Sequence, residues 1–243
     1  MRIKALTFLI VAVALVAASC SSAASDTTTS TSPTPQATPS PSSLPPTNYA
    51  EFRSQPTACG GEQPDPVTEM TFDKPDDMDV TEPTIVTLTT SCGPIEITID
   101  PSVAPETVNS FVFLAEAGYF DGSVSHRVLP GFMVQAGDPT ATGRGGPGYT
   151  IPDELPPEGF LYDEGVVAMA NAGSGTSGSQ FFIMVGKADW LPASYSVFGS
   201  VTRGFETLDA IEQIPLGMNP SGGDPSPSTP LETLYIESVV VNR

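Results

Sequence analysis

Beyond Thr84 the apolar residues of this chain come in short runs, each closed by Gly, Pro, Ser or Asn. That punctuation constrains the fold more than any other feature. "TIVTLTT" (84–90) and "IEITI" (95–99) place β-branched residues at period two, and Ser91-Cys92-Gly93-Pro94 joins them as a hairpin. "HRVLPGFMVQAGD", "EGVVAMAN", "SQFFIMVG", "YSVFGSV" and "LYIESVVVN" read as further strands between turns. Two stretches change to helical spacing. "APETVNSFVFLAEAG" sets Val108, Phe111, Val112 and Ala115 on one face, with Pro105 in the first turn and Gly118 as a stop; "FETLDAIEQI" is the second. Many short strands with two helices predict a mainly β fold, a closed or nearly closed barrel rather than a βαβ sheet. The roughly 160 residues of 84–243 are ample for one core.

The chain upstream has other textures. Arg2 and Lys4 precede an apolar run, Ala5 to Ala18, that ends in Ala-Ala-Ser-Cys. Residues 1–20 read as an export signal, too short for a permanent transmembrane helix of about 20 apolar residues. Cys20 resembles the acylated cysteine of a bacterial lipobox, with Ala17 where that pattern prefers a larger aliphatic residue. Two outcomes stay open: a lipoprotein anchored through Cys20 to the outer face of the cell membrane, or simple secretion with Cys20 lost. Residues 21–47 are nearly all Ser, Thr, Pro and Ala, which cannot bury a core and read as a disordered tether spanning on the order of 30 Å or more. Residues 48–83 form an acidic, Pro-containing arm, expected to be irregular.

Charge and cysteine usage exclude several classes of function. Without Arg2 and Lys4, 7 Lys+Arg face 28 Asp+Glu, a net of about −21. Such a surface repels nucleic-acid phosphates and anionic lipid. Cys59 and Cys92 then remain; in an exported chain an even pair favours a disulfide, and two unrelated thiols are the alternative. One His and two Cys cannot supply a structural zinc with four ligands.

Several motif matches carry no chemistry. "GRGGPG" (143–148) fits G-x-G-x-x-G, but Pro147 and "YTIPDELPP" follow it and no helix can start, so it reads as a glycine-rich surface loop. "GSGTSGS" lacks the G-x-S-x-G register. The lone His126 reads as a packed structural group, and carboxylates in so acidic a chain read as solvated. One constellation is different. Arg127 stands near Phe132, Met133 and Gln135; "MANAGSGTSGSQFFI" adds Ala170, Asn171, Gln180 and Phe182; "WLPASYSVFG" adds Trp190, Leu191 and Tyr195. Singly these are core residues. Together they suit a shallow apolar pocket with a few convergent polar groups.

Residues 125–138, 168–184 and 190–201 resemble, in order and spacing, the three signature blocks of the cyclophilins, which are peptidyl-prolyl cis-trans isomerases. The resemblance implies an eight-stranded antiparallel β-barrel capped by two α-helices over about 84–243. It matches Arg127 to the catalytic arginine and Phe132, Met133, Phe182 and Leu191 to the proline-pocket wall. Gln135, Ala170, Asn171 and Gln180 match residues that hold the peptide backbone, with Gln135 also orienting Arg127. Trp190 matches the tryptophan that contacts cyclosporin. Ser125 stands where the family usually has Phe, and Tyr195 replaces a histidine seen in many eukaryotic members. The implied partners are proline-containing peptides and unfolded exported proteins, with cyclosporin A as an inhibitor; no cofactor or metal is called for, and a monomer is expected. A weak proline-peptide binder or chaperone module is the alternative reading, and an extracellular carbohydrate-binding barrel a third.

Overall fold

The computed structural model describes residues 44–243. The expected export signal, Cys20 and the part of the expected tether up to residue 43 lie outside these residues.

The hairpin is β1 (Thr84–Thr90) with β2 (Gly93–Ile99), paired in register from Thr84 opposite Ile99 to Thr90 opposite Gly93. Period-two alternation puts Val86, Leu88, Ile95, Ile97 and Ile99 inside. The first long helix, Pro105–Glu116, buries Val108, Phe111, Val112 and Ala115 as their spacing requires. The chain then gives β3 (Ser123–Val124), β4 (Arg127–Leu129), β5 (Met133–Ala136), β6 (Val166–Met169), β7 (Phe181–Met184) and β8 (Val197–Arg203). A second helix, Phe205–Ile211, precedes the short pair β9 (Leu216–Gly217) and β10 (Thr229–Pro230), and β11 (Tyr235–Asn242) ends the fold. The two helices expected over 84–243 are these, and a one-turn helix in the arm, Tyr49–Phe52, makes three α-helices among the described residues. We call these α1 (Tyr49–Phe52), α2 (Pro105–Glu116) and α3 (Phe205–Ile211).

Nine strands form one antiparallel sheet in the order β3-β11-β1-β2-β8-β6-β7-β5-β4. Its two edge strands, β3 and β4, are separated in sequence only by Ser125 and His126, so the sheet must curl until its edges meet. The eight-strand expectation corresponds to counting β3 and β4 as one broken strand. The ladder runs from β3 at one end to β4 at the other, and Ser125 bridges between these two ends. Its N–H donates to Leu234 O (2.9 Å) beside β11, and its Oγ donates to Gln135 O (2.8 Å) on β5. This buried serine, 1% exposed, therefore has a specific task where a phenylalanine could not make the second bond.

Inside the curl, Phe111 packs against Phe120, Phe181 and Phe198 with ring centroids 5.0–5.4 Å apart. The arm has little regular structure and is tied down at several points. Cys59 bonds Cys92 in the β1–β2 turn. Phe72 N–H donates to Pro147 O, and its ring packs on Phe113. The packed region also starts earlier than the sequence suggested, since Pro46 is buried and Thr47 donates to Glu51.

Candidate active site

Strand alternation builds the site. In β5, Val134 and Ala136 face the main core, so Met133 and Gln135 face the opposite side. In β7, Phe181 and Ile183 go inward while Phe182 and Met184 go outward. Register then aligns these outward residues across four strands: Arg127 lies opposite Gln135, Gln135 opposite Phe182, and Phe182 opposite Ala168. Directly opposed side chains start only about 4.5–5.5 Å apart at Cβ, so one row brings a cation, an amide and an aromatic ring together.

A small second core supports this row. Met133, Phe182 and Leu191 pack with Leu129, Tyr162, Ala168, Met184 and Ala188, and Phe132 and Tyr195 lie against them. Phe182 meets Tyr195 edge-on at 5.4 Å. The Tyr162 hydroxyl donates to Tyr195 O (3.0 Å) and accepts from Tyr195 N (3.2 Å), which fixes the loop that carries Tyr195. Over this wall lies a cavity of about 310 Å³, bordered by Arg127, Phe132, Met133, Gln135, Phe182 and Leu191 among others. Trp190 stands at the rim, 66% exposed, with its ring 4.9 Å from Phe132.

The polar groups form a chain of hydrogen bonds. Arg127 Nη1 donates to Gln135 Oε1 (3.0 Å), Gln135 Nε2 to Gln180 Oε1 (2.9 Å), and Gln180 Nε2 to Gly145 O (3.0 Å). The glycine-rich loop is thus the far anchor of this chain. It is held by Asp138, whose carboxylate accepts from the N–H groups of Thr140, Thr142, Arg144 and Gly145 at 2.7–3.1 Å. A Cβ at Gly145 would come within 2.0 Å of that carboxylate, so only glycine fits there. Burial pushes the Asp138 carboxyl up, but these hydrogen bonds and the nearby His126 outweigh it and leave it below the usual carboxylate range. Both polar atoms of the Asn171 side chain have partners: Nδ2 donates to Ser194 O (3.0 Å) in the loop that carries Tyr195, and Oδ1 accepts from Gly173 N (3.2 Å) in its own loop.

All eleven expected site residues therefore fall around one concave face: nine line the 310 Å³ cavity, Gln180 lines the adjoining hollow of about 740 Å³, and Trp190 sits beside Phe132. Three features were missed. Asp224 grips Arg127 through Nε and Nη2. Phe52 of the arm, with Pro46 and Thr47 just before it, contributes to the cavity wall. Asp138 is wholly buried, so the reading of carboxylates as solvated fails for it and for the Asp224 side chain, 3% exposed. Nothing local marks Asp224, which sits in a Gly/Pro/Ser turn where carboxylates are common.

The comparisons agree with this geometry. The family model for the cyclophilin type peptidyl-prolyl cis-trans isomerase/CLD matches residues 85–241. The chain is 44% identical over 172 residues to peptidyl-prolyl cis-trans isomerase B of Streptomyces anulatus, covering 64% of this chain and 94% of that protein. It is 41% identical over 171 residues to peptidyl-prolyl cis-trans isomerase A of Mycobacterium tuberculosis, covering 64% and 91%. A cyclophilin type isomerase of Cryptosporidium parvum, crystallised in the presence of the dipeptide Ala-Pro, superposes with a TM-score of 0.59 at 32% identity, covering 65% of this chain and 99% of that one. With an apolar pocket under a fixed arginine, and a family match over most of the packed region, the chain belongs to the cyclophilin-type peptidyl-prolyl cis-trans isomerases.

Proposed function

We propose that Arg127 drives isomerisation in this protein by stabilising the twisted prolyl amide, and that its clients are exported, proline-containing chains. Rotation about Xaa-Pro faces a barrier of about 18–20 kcal/mol because amide resonance is lost. No nucleophile, metal or proton transfer is required. Midway the proline nitrogen becomes pyramidal and its lone pair localises. A guanidinium aimed at that nitrogen, or at the neighbouring carbonyl, bonds the twisted state better than the planar one, and only such differential binding lowers the barrier. Phe132, Met133, Phe182 and Leu191 hold the pyrrolidine ring while the acyl side rotates, and Gln135 orients Arg127. Asn171 takes the peptide backbone in an extended pose. The Ala-Pro dipeptide used with the Cryptosporidium protein supports a proline ligand for this pocket.

One observation carries the reading: the row Arg127–Gln135–Phe182 sets a fixed cation beside an apolar slot. Arg127→Ala is expected to cut kcat by about 10²–10³ in a protease-coupled assay on an Xaa-Pro peptide. Peptide affinity should fall much less, because the apolar wall remains. Arg127→Lys should rescue poorly, since an ammonium lacks the planar fork. A folded Arg127→Ala protein with the parent rate sinks the mechanism. The exposed indole of Trp190 makes cyclosporin A the competitor to include in that assay.

The site of action in this reading is the outer face of the cell membrane. The charged start, the apolar run, Cys20 and the Ser/Thr/Pro tract behind it support a lipid-anchored domain. Uncatalysed isomerisation takes tens of seconds, so an isomerase there removes a slow folding step. The mass of the mature N-terminal peptide separates acylated Cys20 from secretion without it.

A further inference from the structure

Arg127 is held from two sides, and only one belongs to the glutamine chain. On the other, Nε donates to both carboxylate oxygens of Asp224 at 3.1 Å, and Nη2 donates to Oδ1. A guanidinium carries five N–H donors in one plane. Asp224 and Gln135 together engage one on each nitrogen, which leaves one N–H on Nη1 and one on Nη2 without a partner among the described residues. Those two are the donors available to a substrate.

Asp224 is itself a fixed group. Its side chain is 3% exposed, against 30% for Arg127. Oδ2 also accepts from Ser228 Oγ (2.6 Å) and Asn219 Nδ2 (3.1 Å). Ser228 is keyed to the catalytic strand, since its carbonyl accepts from Val128 N (2.8 Å) and its N–H donates to Gly217 O (2.9 Å). Burial pushes the Asp224 carboxyl up, but the bonds from Arg127, Ser228 and Asn219 and the arginine charge bring it down to about 2. The clamp is charged at every pH at which the enzyme would be assayed.

We infer that Asp224 is a positioning residue for the isomerisation: its carboxylate, locked by Ser228 and Asn219, fixes the plane of the Arg127 guanidinium so that the two remaining donors face the prolyl amide. The inference rests on the catalytic reading of Arg127. An arginine at a partly open pocket otherwise samples many rotamers, and a donor aligned before the twist forms costs no reorganisation as it forms. The carboxylate also offsets part of the positive charge, which taken alone would weaken catalysis. A hydrogen bond loses strength steeply with misalignment, so orientation outweighs that loss.

The test uses the folded protein and Asp224→Asn, with Ser228→Ala as a second variant that loosens the carboxylate without removing it. Asp224→Asn should lower kcat about tenfold, equivalent to about 1.4 kcal/mol of barrier, with KM within about twofold. Ser228→Ala should move kcat the same way by less. The NMR signal of Arg127 Nε–H, protected from solvent exchange in the parent, should exchange fast in Asp224→Asn. An unchanged or raised kcat in both variants overturns the inference, as does a fall in kcat with the Nε–H still protected, or a loss expressed mainly in KM. If Asp224→Asn does not fold, the same criteria applied to Ser228→Ala decide. Arg127→Ala measured in parallel separates the two claims: parent activity there removes the catalytic reading, whereas an inactive Arg127→Ala beside a fully active Asp224→Asn removes only the role of Asp224.

Discussion

His126, the neighbour of Arg127 in the gap between β3 and β4, shows how little a place beside the site obliges a residue to do chemistry. Burial lowers its pKa; the carboxylate of Asp138 works against that and the Arg127 charge adds to it, for a value of about 4. Its Nδ1 has no partner among the described residues. The imidazole is therefore neutral through the working range, as a packed group should be. The consequence falls on stability. Between about pH 4 and 6.5 the unfolded chain holds a proton on this histidine that the folded chain does not, so stability rises with pH across that window and is lost as pH falls. His126→Gln should narrow the difference in melting temperature between pH 7 and pH 4.5. An unchanged difference would place the titrating group elsewhere. Asp224 acts lower: its folded pKa of about 2 lies beneath the usual carboxylate value, so its contribution is present above about pH 4 and is lost towards pH 2.

Among the elements, α2 depends on a residue far from it in sequence. Its N-cap position is Ala104, which has no side-chain acceptor. Glu154 supplies one from a distant loop, accepting from Glu106 N (3.0 Å) and Thr107 N (2.8 Å), while its own N–H donates to Ser196 Oγ (2.8 Å). A carboxylate on the first turn satisfies two orphan donors and complements the helix dipole. Glu154→Ala should cost about 1 kcal/mol, seen as a fall of roughly 2–4 °C in Tm, and Glu154→Gln should cost less. A melting curve that overlays the parent would show that water replaces the carboxylate at no cost. Pro105 in the first turn was legible from sequence; the cap was not, because it lies 47–48 residues away.

For the whole molecule, the bond between Cys59 and Cys92 closes a separation of 33 residues and pins the arm to the first hairpin. In the chain-entropy model a loop of that size stabilises the fold by about 3–4 kcal/mol. The pair Cys59→Ser and Cys92→Ser should lower stability by about that much and speed amide exchange in the arm around 48–62. The amides of β5–β7 should keep their protection order, because these strands pair with one another and not with the arm. Equal exchange in arm and sheet would mean that the arm folds as one unit with the sheet. The arm reaches the site as well, since Phe52 borders the cavity beside Pro46 and Thr47 of the segment that precedes it.

Sequence alone determined what depends on neighbours along the chain: the hairpin, the buried face of α2, the strands that carry Arg127 and Phe182, and the order of the three blocks that mark the family. Period two and period 3.6 are local rules, so they can be read before folding. Tertiary structure decided what depends on residues brought together from afar. Register set Arg127, Gln135, Phe182 and Ala168 in one row. Curling drew β3 and β4 together and gave Ser125 two bonds across the gap. The turn before β10 carried Asp224 to an arginine 97 residues earlier in the chain. A carboxylate in a Gly/Pro turn looks the same in sequence whether water or a guanidinium solvates it, and only packing removes the water.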